Sequence, residues 1–317
     1  MPQIDRFVGV DVSKARLDVH IAPDNQSFRV PNTTSGIAQM LSRLGPNDAV
    51  GCEASGGYEA ELLLQLSEAG RPGWCLHPND VHAFARLVGR RAKTDPLDAK
   101  AIAGALKVAT TQRPPLELSR DSKEMRDAMT ARSRLLQRIG ETRGMLTRLG
   151  SGAVRDALED DLRATKKTLE RLEAEVARLI GADAQLAHKA RLLRSAPGVG
   201  RVLAAELLSS LPELGALSSR QVASLVGVAP HPRQSGTTRR SGRCAGGRTR
   251  LRCTLYMAAL ALTAQRFRDQ PLHQFYRRLR TKGKPFKVAI VAVMRKLLVV
   301  LNAMVRNDTT WVHEKGA

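Results

Sequence analysis

Aromatic side chains make up only 3% of this 317-residue chain, too few for aromatic stacking platforms of the kind that grip single-stranded nucleic acid to dominate its binding chemistry. Cysteine is nearly as scarce. The four present, Cys52, Cys75, Cys244 and Cys253, contain no CxxC pair, so neither a zinc site nor a disulfide framework is indicated and free thiols or small core residues are the simplest reading. The longest apolar stretch, Val288 to Val305, is broken at its centre by Arg295 and Lys296, which predicts a helix packed against protein and no membrane partner. The opening MPQIDRFVGVDV carries an acid at position 5 and no apolar segment before a small-residue cleavage site, so a secretory signal is not expected and the cytoplasm is. Acidic residues are far outnumbered by basic ones in one part of the chain in particular. The first 100 residues hold 11 basic and 12 acidic side chains, whereas the remaining 217 hold 40 and 18, and the whole carries a formal +21. A neutral first third joined to a strongly basic remainder points to a catalytic or regulatory domain attached to one that binds a polyanion.

Hydrophobic residues account for 43% and charged ones for 26%, ordinary for a folded soluble chain, and the length suits more than one domain. Residues 6–31 contain RFVGVDVS, RLDVHIA and SFRVPN separated by polar turns, which predicts a three-stranded antiparallel meander. Helical periodicity over 36–44, a strand at AVGCEAS (49–55), leucines at helical spacing from Tyr58 to Ala69 and a strand at 73–78 then predict an α/β layer. A further helix should start at Asp95-Pro96, and RPP at 113–115 breaks it. From about Arg120 to Gly181 the chain reads as helix, interrupted by GSG at 150–152. Leu158, Leu162, Thr165, Leu169, Leu172, Val176 and Leu179 form a heptad seam there. An intramolecular hairpin across GSG and an intermolecular coiled coil fit that seam equally. Residues 185–317 read as mostly helical, with a Gly/Arg/Ser-rich interruption from Pro230 to Gly247. The expected division is 1–112, 113–184 and 185–317, an α/β domain, a helical coiled-coil arm and a basic, mostly all-α domain.

Four acids come from three elements of the first domain. Asp11 lies in the GVDVS strand, Glu53 near the end of the CEAS strand, and Asp95 and Asp98 at one helix start, where i,i+3 spacing puts both on one face. If they converge, like-charged carboxylates need a metal or a proton between them, and two Mg²⁺ ions are the standard device of phosphodiester chemistry. The plainer reading of Asp95 and Asp98 is an N-cap and a residue complementing the helix dipole. Asp11 and Glu53 are harder to dismiss, because a carboxylate in an apolar strand costs desolvation unless it is paired. Asp18, Asp24, Glu59 and Glu61 read as solvated surface.

The order GVDVSK, CEASGGYE, KTDPLDAKAIA, APGVG, LVGVAP, a Ser-Gly in a basic segment, GGR, LRCTLYMAAL and KVAIVAVMRKLL closely resembles the insertion-sequence transposases with a RuvC-like Asp-Glu-Asp-Asp domain, the bridge-RNA-guided serine recombinases. The resemblance runs from about residue 6 to 306. It implies an RNase H-like (RuvC-like) N-terminal fold and a bacterial, nucleoid-associated setting. It also implies Mg²⁺ at Asp11, Glu53, Asp95 and Asp98, a serine nucleophile at Ser235 that forms a phosphoserine intermediate, double-stranded target and donor DNA, a guide RNA, and a homo-oligomer, dimer or tetramer.

From the residues alone Ser235 is a modest candidate, since a hydroxyl needs activation or strong electrostatic help. Arg233, Arg239, Arg240, Arg243, Arg248, Arg250 and Arg252 surround it in sequence, and guanidinium forks bind phosphate oxygens well. Without the resemblance it would read as a serine that merely hydrogen-bonds a phosphate. Ser241 shares the segment but not the family's Ser-Gly position after LVGVAP. SAPGVGRVLAAELL resembles a helix-hairpin-helix phosphate binder through Gly198 and Gly200, or else is an ordinary loop-to-helix junction. Arg233 to Lys287 contains 15 basic residues against one acid, Asp269, which predicts steeply salt-dependent binding. The resulting reading is an RNA-guided DNA transposase or recombinase. Two alternatives stand beside it, a RuvC-like structure-specific endonuclease using metal-activated water and a non-catalytic architectural nucleic-acid-binding protein.

Overall fold

The computed structural model describes residues 4–89, 95–116, 118–235, 238–244 and 246–312, with only the backbone course given for 95–97, 231–235, 238–241 and 243. The chain divides into two compact units, Met1–Lys123 and Glu124–Ala317.

In the first unit, β1 (Phe7–Val12), β2 (Arg16–Ala22) and β3 (Gln26–Pro31) form the expected meander. Helix α1 (Thr34–Leu41) leads to β4 (Ala49–Glu53), α2 (Ala60–Glu68) to β5 (Gly73–Leu76), and α3 (Pro78–Leu87) to α4 (Asp95–Ala109). The five-stranded sheet has the order β3-β2-β1-β4-β5, antiparallel across β1, β2 and β3 and parallel across β1, β4 and β5. This mixed α/β arrangement is compatible with the RNase H-like domain expected. Strand alternation assigns the two faces. Val8, Val10, Val12, Leu17, Val19, Val50 and Cys52 join α1 and α2 in one core, and Phe7, Ala49, Trp74 and Val81 join Ile102 and Leu106 of α4 in another. Only a glycine lets α4 cross β1 so closely: a Cβ on Gly9 would lie 2.1 Å from the Ala99 carbonyl oxygen and 2.4 Å from the Ala103 nitrogen.

The second unit contains α5 (Arg120–Leu146) from Glu124 onward, α6 (Ala153–Ala182), α7 (Ala184–Ser195), α8 (Arg201–Ser210) and α9 (Ser219–Val226). The strands β6 (Pro230–Ser235) and β7 (Thr238–Cys244) follow, then α10 (Thr249–Ala261), α11 (Pro271–Thr281) and α12 (Phe286–Asn307). Ion pairs Arg132–Glu173, at 2.7 Å, and Arg138–Asp161 join α5 to α6, so the seam belongs to an intramolecular hairpin turning at GSG. Val176 and Leu179 are buried there, while Leu158, Leu162, Leu169 and Leu172 stay half-buried. Helix α12 is long and apolar enough, by length and composition, to cross a membrane. It serves as a core element here: Ile290, Val293, Met294, Leu297, Leu298 and Leu301 are buried, and α7, α9, α10 and α11 pack against the helix.

The Pro230–Gly247 segment corrects the sequence reading. Most of it is not an irregular interruption but an antiparallel hairpin, with Gln234 opposite Arg239 and Ser235 opposite Thr238. Arginine and serine carry little strand signal of their own, and the strands are set by their mutual backbone pairing.

Candidate active site and nucleic-acid interface

Asp11 and Glu53 come together through strand register. Val10 pairs with Cys52 between the parallel strands β1 and β4, so the next residue on each strand is one of the two acids, at the carboxyl edge of the sheet. Both alternate with the glycines that α4 covers, Gly9 and Gly51, and therefore belong to the α4 face. Both are half-buried, and each has an interaction within the protein. Asp98 is carried by α4 itself, one residue before the Ala99 that touches Gly9. The side chain of Asp95 lies outside the described residues. Among the described residues no group of three or more acids, histidines or cysteines stands close enough to hold a metal ion. The structure thus places two of the four acids side by side on one edge and a third on the helix over that face.

Two acids read as solvated surface turn out otherwise. Asp18 is 6% exposed. It stands directly opposite Asp11 across β1 and β2, and it accepts from Arg16 at 3.2 Å and from Arg29 Nε at 2.7 Å. The meander brings Arg29 to Asp18 by register, and period-two patterning alone names a face without saying whether a helix will cover it. Glu59 is 9% exposed. It accepts from the Ser55 and Gly57 amides and from the Ser55 hydroxyl, at 2.9 to 3.1 Å, and so ties down the SGG turn that follows Glu53.

The second unit holds Ser235 as the last residue of β6, at the far end of the hairpin from its base. That base is clamped backbone to backbone. Gly227 ends α9 at φ +79°, and a Cβ there would lie 2.2 Å from the Gly246 carbonyl oxygen; one on Gly247, at φ +76°, would lie 2.4 Å from the Gly227 nitrogen. The Arg248 amide donates to the Leu225 carbonyl at 3.2 Å. The GGR motif is thereby explained as structure, a role its spacing did not reveal. Arg248 also grips Glu213 bidentately at 2.7 and 2.8 Å. Burial would raise the Glu213 carboxyl, but the Arg248 guanidinium outweighs it and holds the group below the usual carboxylate range. Arg252 donates to the Gly246 carbonyl. Arg250 binds Glu206, Ser210 and Thr130. Three of the arginines near Ser235 in sequence are therefore engaged inside the protein, while the side chains of Arg233, Arg239, Arg240 and Arg243 lie outside the described residues.

At the expected phosphate binder, Gly198 takes φ +79° between α7 and α8, and a Cβ there would meet Leu262 at 2.8 Å. Gly200 precedes α8 with no side-chain cap, which leaves the first N–H groups of that helix without a capping side chain.

A transposase family model described as DEDD, IS110-type, matches residues 8–149, and the model of the IS116/IS110/IS902 transposase family matches residues 190–277. The chain belongs to the IS116/IS110/IS902 family of transposases. It is a DNA recombinase or transposase with DNA as its substrate, and its DEDD domain is of a generally metal-dependent kind. The pilin gene-inverting protein of Moraxella bovis is 27% identical over 97% of this chain and 99% of its own length, and that of Moraxella lacunata is 26% identical over the same shares. An insertion element IS116 protein of Streptomyces clavuligerus is 36% identical over 38% of this chain and 30% of its own length.

Proposed function

We propose that this transposase cuts and exchanges DNA strands with two groups on separate units: Asp11, Glu53, Asp95 and Asp98 hold two Mg²⁺ ions at the scissile phosphate, and Ser235 is the nucleophile. The observation that carries this reading is the placement of Asp11 and Glu53 at the ends of adjacent parallel strands, on the face crossed by the helix that bears Asp95 and Asp98. All four donors are carboxylates, the ligand class that hard divalent cations take. When bound, such ions neutralise the acids and draw charge from the phosphate oxygens.

In this scheme the Ser235 Oγ attacks phosphorus, giving up its proton as the O–P bond forms. One strand oxygen departs as a hydroxyl. A hydroxyl from the partner strand then attacks the phosphoserine, restores a phosphodiester and returns the serine oxygen as leaving group. Inversion of a gene segment, which the names of the two Moraxella relatives describe, rejoins every strand that is cut, and a covalent serine ester keeps each broken linkage activated for rejoining. Clamping of the hairpin base at Gly227 and Gly247 supports a fixed carrier for Ser235. Target choice by a guide RNA and assembly as a dimer or tetramer complete the proposal.

The test is a denaturing gel of purified protein with labelled DNA ends and Mg²⁺, with and without RNA from the element's flanks. An RNA-dependent protein–DNA adduct, lost in Ser235→Ala and in Asp11→Ala, is expected. Free cleaved ends that persist in Ser235→Ala would make the chain a water-using nuclease, and tight binding with no cleavage on any duplex or junction would make it architectural.

A further inference from the structure

We propose that the turn joining α11 to α12, with the helix ends beside it, is a docking surface for the sugar–phosphate backbone of duplex DNA. The proposal rests on the reading of the chain as a DNA recombinase and assigns a contact surface apart from both the acids and the 230–244 hairpin. Six cations crowd into eleven residues here, Arg277, Arg278, Arg280, Lys282, Lys284 and Lys287, and all six are exposed. Among the described residues none of them forms an ion pair, whereas Arg132, Arg138, Arg248 and Arg250 of the same unit all do. No acid occurs between Asp269 and Asp308, and those two are paired with Arg268 and His188.

The scaffold beneath the cations is well fixed. Leu272 and His273 are buried, and His273 Nδ1 lies 2.9 Å from the Leu262 carbonyl oxygen. Tyr276 packs edge-on to Phe286 at 6.4 Å, and the Lys296 ammonium sits 4.7 Å above the Phe275 ring. Gly283, at φ +72°, turns the chain, and the Lys284 and Gly283 amides donate to the Leu279 and Arg280 carbonyls at 3.1 and 3.0 Å. The Arg280 guanidinium donates to the Lys284 carbonyl at 2.6 Å. Like charges this close repel, and no internal acid relieves them; a polyanion would. A surface already ordered also loses little entropy on binding. Duplex is favoured over single strand because Phe275 and Tyr276 are half-buried in packing contacts, and Phe286, 38% exposed, is the one ring of this segment open to solvent, too little for a row of stacked bases among the cations.

The experiment measures binding of an arbitrary 30-base-pair duplex by the full chain in EDTA, from 50 to 200 mM KCl. Wild type is compared with the triple variant Arg277→Gln, Arg278→Gln, Lys284→Gln. A control of equal charge loss on α6, Lys166→Gln, Lys167→Gln, Arg171→Gln, separates local contact from net charge. Three lost phosphate contacts should flatten the slope of log K against log salt by about 2.7, so that the fourfold salt step costs roughly 40-fold less affinity than in wild type. The control should keep the wild-type slope, and Arg277→Lys, Arg278→Lys should keep it too, which excludes unfolding as the cause. A wild-type slope in the triple variant, or flattening seen only with duplex RNA, overturns the surface and leaves the recombinase reading standing. Failure of the wild-type chain to bind duplex DNA at all overturns both.

Discussion

Replacing Gly9 by alanine should separate the fold from the chemistry of the first unit. The added methyl would stand 2.1 Å from the Ala99 carbonyl oxygen and 2.4 Å from the Ala103 nitrogen, both backbone atoms of α4. A comfortable carbon–oxygen separation is about 3.3 Å, so α4 must withdraw from β1 by roughly 1 Å. Asp98 rides on the turn that is pushed, and Asp11 lies two residues along the strand from the point of contact. Overpacking of this kind costs about 1–3 kcal/mol, a fall in melting temperature of the order of 5–10 °C for a unit of this size. Displacement of catalytic groups by about 1 Å costs of the order of 100-fold in rate. Gly51→Ala is the matched comparison, because the atoms nearest its methyl belong to the Leu106 side chain, at 2.9 to 3.3 Å, and a side chain yields more readily than the backbone of a helix. The assay pairs strand-exchange rate with thermal melting for both variants. A Gly9→Ala protein with wild-type rate and melting temperature, or one no worse than Gly51→Ala, would refute the claim that α4 holds its acids against β1 by close backbone contact.

Three further outcomes follow from the same geometry. Gly227→Ala, which drives a methyl into the Gly246 carbonyl at 2.2 Å from a positive φ, should destabilise the second unit by about 1–3 kcal/mol and reduce strand exchange by more than it reduces duplex binding; melting and binding curves check it. Glu213→Gln should cost about 2–3 kcal/mol near neutral pH by removing a charged partner of Arg248. Because Arg248 lowers the folded pKa of Glu213 beneath its unfolded value, the pair stabilises fully above about pH 4.5 and fades as pH falls through the lowered value, so the deficit should be constant from pH 6 to 8 and shrink below pH 4 in denaturant titrations. Asp18→Asn leaves Arg16 and Arg29 without their buried carboxylate and should lower the stability of the first unit by about 1–3 kcal/mol, read as a shift in urea midpoint.

The first unit was legible because its signals are local. Alternating β-branched runs gave the meander, and Asp95-Pro96 marked the start of α4. The helix Pro78–Leu87 escaped notice because Val81 is its only fully buried residue, which leaves little apolar periodicity to read. Asp18 and Glu59 escaped because burial of an acid depends on partners brought in by register and by a turn, Arg29 and the Ser55 amide, which composition does not encode. The heptad on α6 announced an apolar face without naming its occupant; Arg132 and Arg138 on α5 decided that. The GGR glycines were visible as a motif, but their contact with Gly227 joins positions 20 residues apart.

The most direct test of the two-centre account is to trap protein–DNA adduct, digest it with trypsin and locate the nucleotide by mass spectrometry. Cleavage after Arg233, Arg239, Arg240 and Arg243 puts Ser235 in the peptide 234–239 and Ser241 in 241–243, so the two serines are resolved. The account predicts the nucleotide on Ser235, with none recovered from Asp11→Ala. A nucleotide on Ser241, or cleaved DNA carrying no peptide, would contradict it.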